Sequence, residues 1–507
     1  MNNILEALNK QTTRNQEMIV FLLYLCCVLT IAGHHEAWRD EAQAWLLSRD
    51  LSFFQLINHI SYEGTPALWH LILMLFSKTG FPYETIKYIN ITIIAFSAFV
   101  FLRFSPFTLL TKTLFIFSYY MAWEYSIIAR SYSVSIAIIF SIAGFYHLRF
   151  TRPIVYALLV FVLFNTNAHS FSLAAAIGLL YLYESKDNES LGWGFLISVS
   201  IMACGAFLAL YQLIPNIDNM HDWKLNIFAP PIALMNAFFP VTSYLEEQLA
   251  HKLYLTPLAF IAFLTFLYFI LYLQANYRNL FFLYTFFVFG MISIFLFKNF
   301  GTYRHHGFIL IILIFVLWVS KNYKKKKEED HNTLDRYFSK GSIPFKKRTA
   351  TLLLNIVLGF SLMGSAVMYY KEYTGSFSGS KKMAELVIDN GFEERVIVAS
   401  SSQIMSSLLP YLPNTTFWYP DAQRFGTYIV WTHGYKSNRN LPFEEVERRA
   451  KSAGVLNKST LVLLSRPMPD SYLAHYQLVN KSDEGVFGAL DETYYLYKAK
   501  QVGAFAE

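Results

Sequence analysis

Carboxylates, arginines and histidines gather in a few short segments of a largely apolar chain, and their types suit proton abstraction and anion binding. The first segment is His34-His35-Glu36-Ala37-Trp38-Arg39-Asp40-Glu41-Ala42-Gln43. A carboxylate at Asp40 or Glu41 can take a proton from an incoming hydroxyl. Asp40 followed by Gln43 also matches a capping box, in which Asp40 satisfies the N–H groups of a helix start; the two roles are compatible. A second segment, Trp123 to Tyr132, carries Glu124 and Arg130. Arginine suits a phosphate through its forked donors, and a Glu–Arg pair at a helix end can equally do no more than neutralise itself. Arg304-His305-His306 offers donors where a helix begins and its dipole favours an anion, or side chains that snorkel to lipid headgroups. Glu63, in Tyr62-Glu63-Gly64-Thr65-Pro66-Ala67-Leu68-Trp69, suits hydrogen bonds to hydroxyls or, with a histidine, a divalent ion. His169 stands alone and reads as a polar residue satisfied by its neighbours.

The elements that must position these residues are membrane helices. Of the 507 residues 54% are hydrophobic and 15% charged, well below the roughly 25% charged share of soluble domains; this excludes an ordinary cytosolic enzyme. Apolar runs of crossing length fall at 18–33, 84–103, 107–122, 132–149, 153–168, 170–184, 192–213, 253–274, 279–297, 306–320 and 349–370, about eleven spans. The first reads as an uncleaved anchor, since no small-residue cleavage site follows Cys27. The net charge of +7 is local: residues 1–320 hold 17 basic and 16 acidic groups, 321–348 hold 10 and 4, and 371–507 hold 15 and 15. Such a distribution fits a cytoplasmic loop and disfavours a nucleic-acid surface. Cys26, Cys27 and Cys204 all lie in apolar runs, so neither a disulfide framework nor a thiolate metal site is expected.

With Lys10 and Arg14 on the cytoplasmic side, the in-facing loops carry Arg103 and Lys112, Arg149 and Arg152, Lys186, Arg278 and Lys324 to Lys327, as the positive-inside rule asks. An odd number of spans then leaves the C-terminus extracytoplasmic. The reading divides the chain into a transmembrane domain, 1–370, and a soluble domain, 371–507. Within the first lie an outer loop at 34–83, a second at 214–251 and the basic loop at 321–348. Ala42–Ile60 reads as one helix lying in the interface, and Pro66–Ser77 as a half-inserted or surface helix. The tail has 30 charged residues in 137. Strands are expected at Val396–Ala399, Tyr428–Trp431, Leu461–Leu464 and Tyr494–Tyr497, and helices at Lys381–Asn390 and Phe443–Ala453, giving a small α/β layer.

This topology collects the polar segments at the outer face, where ionisable groups beside hydrocarbon are functional candidates. Arg39-Asp40-Glu41-Ala42-Gln43-Ala44-Trp45 resembles the acidic motif after the first span of the integral-membrane glycosyltransferases of C-type fold. The relatives in question are the protein O-mannosyltransferases and the aminoarabinose transferases acting on lipid A. Glu63 to Trp69, Ala129-Arg130-Ser131-Tyr132, Asn167-Ala168-His169-Ser170 and Tyr303 to Gly307 are similar to later parts of the pattern. The mannosyltransferases' His-Pro-Pro segment is replaced by Gly64-Thr65-Pro66, and Ser131 stands where some relatives are acidic.

The resemblance implies an α-helical polytopic membrane protein of C-type fold with an extracytoplasmic α/β domain at its C-terminus. It implies inverting transfer of a sugar from a polyprenyl-phosphate donor to an acceptor hydroxyl, whether glycan, lipid or protein. Asp40 is then the general base, with Glu41 orienting it or the sugar. Arg130, Arg304, His305 and His306 hold the donor phosphate, and Glu63, Glu124, Tyr132 and His169 bind sugar or acceptor. No cofactor is required, a divalent metal at Glu63 and a histidine staying open. The expected partners are the lipid-linked donor, the acceptor and membrane lipids. The other reading is a transporter of a lipid-linked sugar; charges gathered at one face, with no matching halves, disfavour it.

Overall fold

The computed structural model describes residues 13–186, 192–219, 224–240, 255–298, 300–323, 346–482 and 486–500. Most of the basic loop expected at 321–348, and the end of the outer loop expected at 214–251, lie outside the described residues, as does Lys10.

Among the described residues seven helices are long and apolar enough to cross a membrane: Arg14–His34, Thr85–Phe104, Trp193–Leu213, Pro257–Asn276, Arg278–Phe297, Tyr303–Asn322 and Lys347–Thr374. The other four expected spans form shorter or less apolar helices. Tyr132–Gly144 has 13 residues and Pro153–Phe164 has 12, each roughly 20 Å long at the α-helical rise. Ala168–Ser185 starts where the Asn167 side chain accepts the Ser170 N–H at 2.9 Å. The run 107–122 is not one span. It folds as Leu109–Ile116, capped by Thr108, and then a π-helical turn, Tyr119–Glu124, in which the Tyr125 N–H reaches the Tyr120 carbonyl at 2.9 Å. The break falls at Phe117 and Ser118, and the Tyr119 N–H is satisfied by the Ser361 hydroxyl at 3.1 Å. A π turn widens the helix and re-aims the side chains that follow, and here it carries Glu124.

The chain forms two compact units, and the division differs from a cut at residue 370. One holds Met1–Thr30, Asn90–Leu213 and Asp222–Tyr369; the other holds Ile31–Ile89, Ile214–His221 and Tyr370–Glu507. The first unit is built around Tyr303–Val319, buried on nearly all sides from His306 onward, as an all-round apolar helix must be. Gly307 is part of the reason: a Cβ there would collide with the Tyr120 ring and stand 2.5 Å from the Tyr125 hydroxyl.

The second unit brings the first outer loop and the tail together. Ala42–Ile60 is two helices, Arg39–Asp50 and Phe53–His59, separated at Ser52, whose side chain accepts the Gln55 N–H while Gln55 takes the Ser52 N–H at 2.9 Å. Glu41 through Ser48 are buried, so the first of these helices packs inside protein rather than lying on an interface. Leu68–Ser77 is the short helix expected after Pro66.

Among the described residues six strands make the tail's sheet: β1 Ile397–Ser400, β2 Phe417–Tyr419, β3 Arg424–Gly426, β4 Leu461–Leu464, β5 Tyr476–Lys481 and β6 Tyr495–Ala499. Their order is β3-β2-β1-β4-β6-β5. β1 runs parallel to β2 and β4, with Val398 opposite Trp418 and Val462, and the outer pairs are antiparallel. Val398, Trp418, Val462 and Tyr497 pack with Val446 and Ala450 of the helix Phe443–Ser452. Tyr428–Trp431 is not a strand. The amide of Gln43 takes both backbone groups of Ile429, at 3.1 and 2.9 Å, in place of a neighbouring strand.

Candidate functional site

The acidic segment after the first span is laid out by the helix Arg39–Asp50. Its N-cap is Trp38, whose N–H donates to Glu41 Oε2 at 3.2 Å. The capping role offered to Asp40 therefore belongs to Glu41. Glu41 is fully buried and also bonds His35 Nε2 at 3.3 Å, while His35 Nδ1 bonds Glu372 at 2.9 Å. Burial alone would lower the pKa of His35, but the two flanking carboxylates outweigh it and raise it to about 9. Glu41 is thus engaged with His35 and the Trp38 N–H inside the protein. Asp40, one residue earlier, is half-buried at the helix's second position, where the dipole favours a negative charge.

Other residues of the same segment fix the tail. The Arg39 guanidinium reaches Asp491 at 2.6 Å, and the Arg39 backbone N–H donates to Glu492 at 3.1 Å. Glu492 accepts the Ser378 hydroxyl at 2.5 Å, and burial lifts its pKa to about 8 against the pull of Arg39. Gln43 donates to Glu63 at 2.9 Å, and His59 stands 3.3 Å from the same oxygen. Burial pushes Glu63 up, yet His59 and Gln43 leave it below the ordinary carboxylate value. The histidine beside Glu63 is therefore His59, at the i, i+4 spacing visible in the sequence. Among the described residues no three His, Cys, Asp or Glu side chains converge on one point as a metal-binding group.

The other unit holds the cationic set. Tyr303–Val319 starts after Thr302, whose N–H donates to His305 Nδ1 at 2.9 Å. A nitrogen that accepts carries no proton, so His305 is neutral and its Nε2–H faces the Tyr132 hydroxyl at 2.8 Å. His169 lies against it, ring centroids 4.5 Å apart. His306 is buried, with Nδ1 3.2 Å from the Asn236 amide and Nε2 3.1 Å from the Phe300 carbonyl. In this arrangement neither histidine is a cation, so a phosphate would meet them as neutral hydrogen-bonding groups.

Arg304 is the cation of the three. Its Nε stands 3.7 Å from Glu124 Oε1, and its carbonyl accepts the Tyr125 hydroxyl at 2.8 Å. Glu124 also accepts the Tyr119 hydroxyl at 2.7 Å; burial raises its pKa against the pull of Arg304 and Tyr119. The partner of Glu124 is therefore Arg304 and not Arg130, as the sequence suggested. Arg130 lies two residues before Tyr132, half-buried, and its charge and that of Arg304 both act on His305. The structure thus gathers Glu124, Arg130, Tyr132, His169, Arg304 and His305 in one unit, and Asp40, Glu41 and Glu63 in the other. Sequence reasoning missed Glu372, Glu492, Tyr119 and Asn236. Only Tyr119 lies near a singled-out residue in the chain.

No family model matches this chain, and no curated protein matches it in sequence. Among solved structures it is similar to the crystal structure of ArnT from Cupriavidus metallidurans bound to undecaprenyl phosphate. The TM-score is 0.52 at 11% identity, over 96% of this chain and 98% of that one. The chain has the membrane fold of C-type glycosyltransferases, with a small C-terminal sheet domain, that its sequence leads one to expect.

Proposed function

We propose that this protein transfers a sugar from a polyprenyl-phosphate donor to an acceptor hydroxyl on the extracytoplasmic side of a membrane, inverting the anomeric carbon. The observation that carries this reading is the fold shared along nearly the whole chain with ArnT, a protein bound to undecaprenyl phosphate in its crystal structure. In the proposed reaction Asp40 removes the acceptor's hydroxyl proton. The oxygen attacks the anomeric carbon from the face opposite the phosphate, the bond from carbon to phosphate oxygen breaks, and polyprenyl phosphate departs with the electron pair. One displacement gives inversion. The departing phosphate needs its charge held and no nucleotide site.

Two features support the roles. Asp40 sits where a helix dipole favours its ionised form. Arg304 is a cation at the second position of a helix, against that dipole, where the two together attract an anion. Arg130 adds a second guanidinium, while Glu63, Glu124, Tyr132 and His169 supply groups for sugar or acceptor hydroxyls. In this scheme His305 presents Tyr132 rather than charge, and the transfer requires no cofactor.

The test is reconstitution in lipid vesicles with a labelled polyprenyl-phosphate sugar pool and candidate acceptors, reading release of free polyprenyl phosphate. Wild-type protein releases it. Asp40→Asn keeps donor binding and slows release by about a hundredfold or more, the contribution expected of a positioned base. Arg130→Ala and Arg304→Ala weaken donor binding. Movement of intact labelled lipid between leaflets, with no bond cleaved, overturns the reading in favour of transport.

A further inference from the structure

The tail's sheet has a feature that the transfer reaction leaves unused. From β1 the chain passes to β2 on one side, whereas β4 lies on the other side of β1. Connections therefore diverge at the carboxyl ends of β1 and β4, and in open α/β sheets the crevice at such a point is where ligands bind. A cavity of about 610 Å³ opens there, within the range of small-molecule sites.

Its walls come from the residues that close the two strands. Ser400 and Ser401 end β1, and Ser465 and Arg466 follow β4. Across from them stand Arg439 and the start of the helix Phe443–Ser452. The loop after β4 is pinned: Pro467 and Pro469 restrict its backbone, and the Met468 N–H between them donates to the Tyr497 hydroxyl at 3.0 Å. Neither Arg439 nor Arg466 has an acidic partner among the described residues. Nearby Arg448 and Arg449, by contrast, are both paired with Glu445. Asp491 also borders the cavity, but its carboxylate is taken by Arg39 at 2.6 Å. The crevice therefore presents two uncompensated guanidinium groups, three hydroxyls and the apolar faces of Phe443 and the prolines.

We propose that this crevice binds a saccharide bearing a phosphate or carboxylate. Arg439 and Arg466 hold the anion, the serine hydroxyls bond the sugar hydroxyls, and the ring rests on the apolar wall. The site is read by binding alone.

The experiment is equilibrium binding to the full-length protein in detergent, with glucose 6-phosphate, glucuronate, glucose and inorganic phosphate as probes. Both anionic sugars bind saturably, and glucose binds at least about tenfold more weakly, a difference set by charge-assisted hydrogen bonds. The double variant Arg439→Ala/Arg466→Ala loses at least about tenfold in affinity for the anionic sugars, with its thermal unfolding unchanged, since both side chains are exposed. Arg448→Ala binds like wild type. Equal binding of glucose, absence of binding by either anionic sugar, or binding untouched by the double variant overturns the proposal. Inorganic phosphate binding as tightly as glucose 6-phosphate overturns its saccharide half, leaving a simple anion site.

Discussion

Two helix starts, one in each unit, solve the same problem with side chains of opposite character. At Arg39–Asp50 the third residue, Glu41, reaches back to the Trp38 N–H; at Tyr303–Val319 the third residue, His305, reaches back to the Thr302 N–H. Both are capping boxes, but Glu41 brings a negative charge into a buried place and needs His35 as its counter-ion, whereas His305 brings none and needs only Tyr132. The third residue of each helix is held by its cap. The second residues, Asp40 and Arg304, differ in sign and are the ones to which the proposed reaction assigns base and phosphate ligand. What a titratable residue can do thus depends on its register in the helix, beyond its type.

The largest effect should come from the charged start. His35→Leu removes the imidazole that Glu41 and Glu372 both bond inside the protein, and the loss is about 3–5 kcal/mol as for other broken buried pairs. Retention of a monodisperse protein after graded heating in detergent checks this: the half-loss temperature falls by several degrees, and an unchanged value would break the comparison. At the other start the steric limit is Gly307. Gly307→Ala costs about 1–3 kcal/mol through overpacking against Tyr120 and Tyr125. Gly359→Ala, with nothing within 4 Å of its Cβ, is the control.

A pH series sharpens the contrast. The pKa of His35 is about 9 in the folded protein against an ordinary 6.5, so the stability from its pairing is complete below about 6.5 and lost as pH rises through 9. Glu36 and Glu492, raised by burial to about 7 and about 8 from 4.5, also favour the folded state at low pH and lose that advantage as pH rises. The part due to His35 is the difference between wild type and His35→Gln between pH 6.5 and 9. Equal slopes in the two proteins would remove His35 as a charged member of the cluster.

How much of this was legible in the chain follows from distance along it. Apolar length identifies the seven long helices, and short apolar runs identify β1, β4 and β6. Local signals also place Ser52 with Gln55 and His59 with Glu63, since each pair is three or four residues apart. Runs of three residues, such as β2 and β3, carry too little pattern to be read as strands, and β5, at the sheet edge, shows no alternation. Tyr428–Trp431 looks like a strand because it is a short apolar run, but the partner of Ile429 is the side chain of Gln43, 386 residues away. The same limit applies to the site. Asp40, Arg130 and Arg304 stand out by type, but the counter-ion of Glu41 is held from the other side by Glu372, 337 positions beyond His35. No local rule links such residues, so Asp40 and Glu41 look equivalent until the cap separates them.

The smallest effect separates the two starts most directly. In the neutral one, Tyr132 is the partner that faces the His305 Nε2–H, at 2.8 Å. Tyr132→Phe removes that acceptor while keeping the ring, so the cost is one unmade donor in a partly buried place, about 1 kcal/mol. Because His305 is already deprotonated at Nδ1 by its bond to the Thr302 N–H, no charge is exposed and the loss stays the same from pH 6.5 to 9. The unfolding temperature of Tyr132→Phe therefore runs parallel to that of wild type across the range, a little below it, whereas His35→Gln converges on wild type as pH rises. If Tyr132→Phe also converges, His305 carries a proton at neutral pH, and the two helix starts are electrostatically alike.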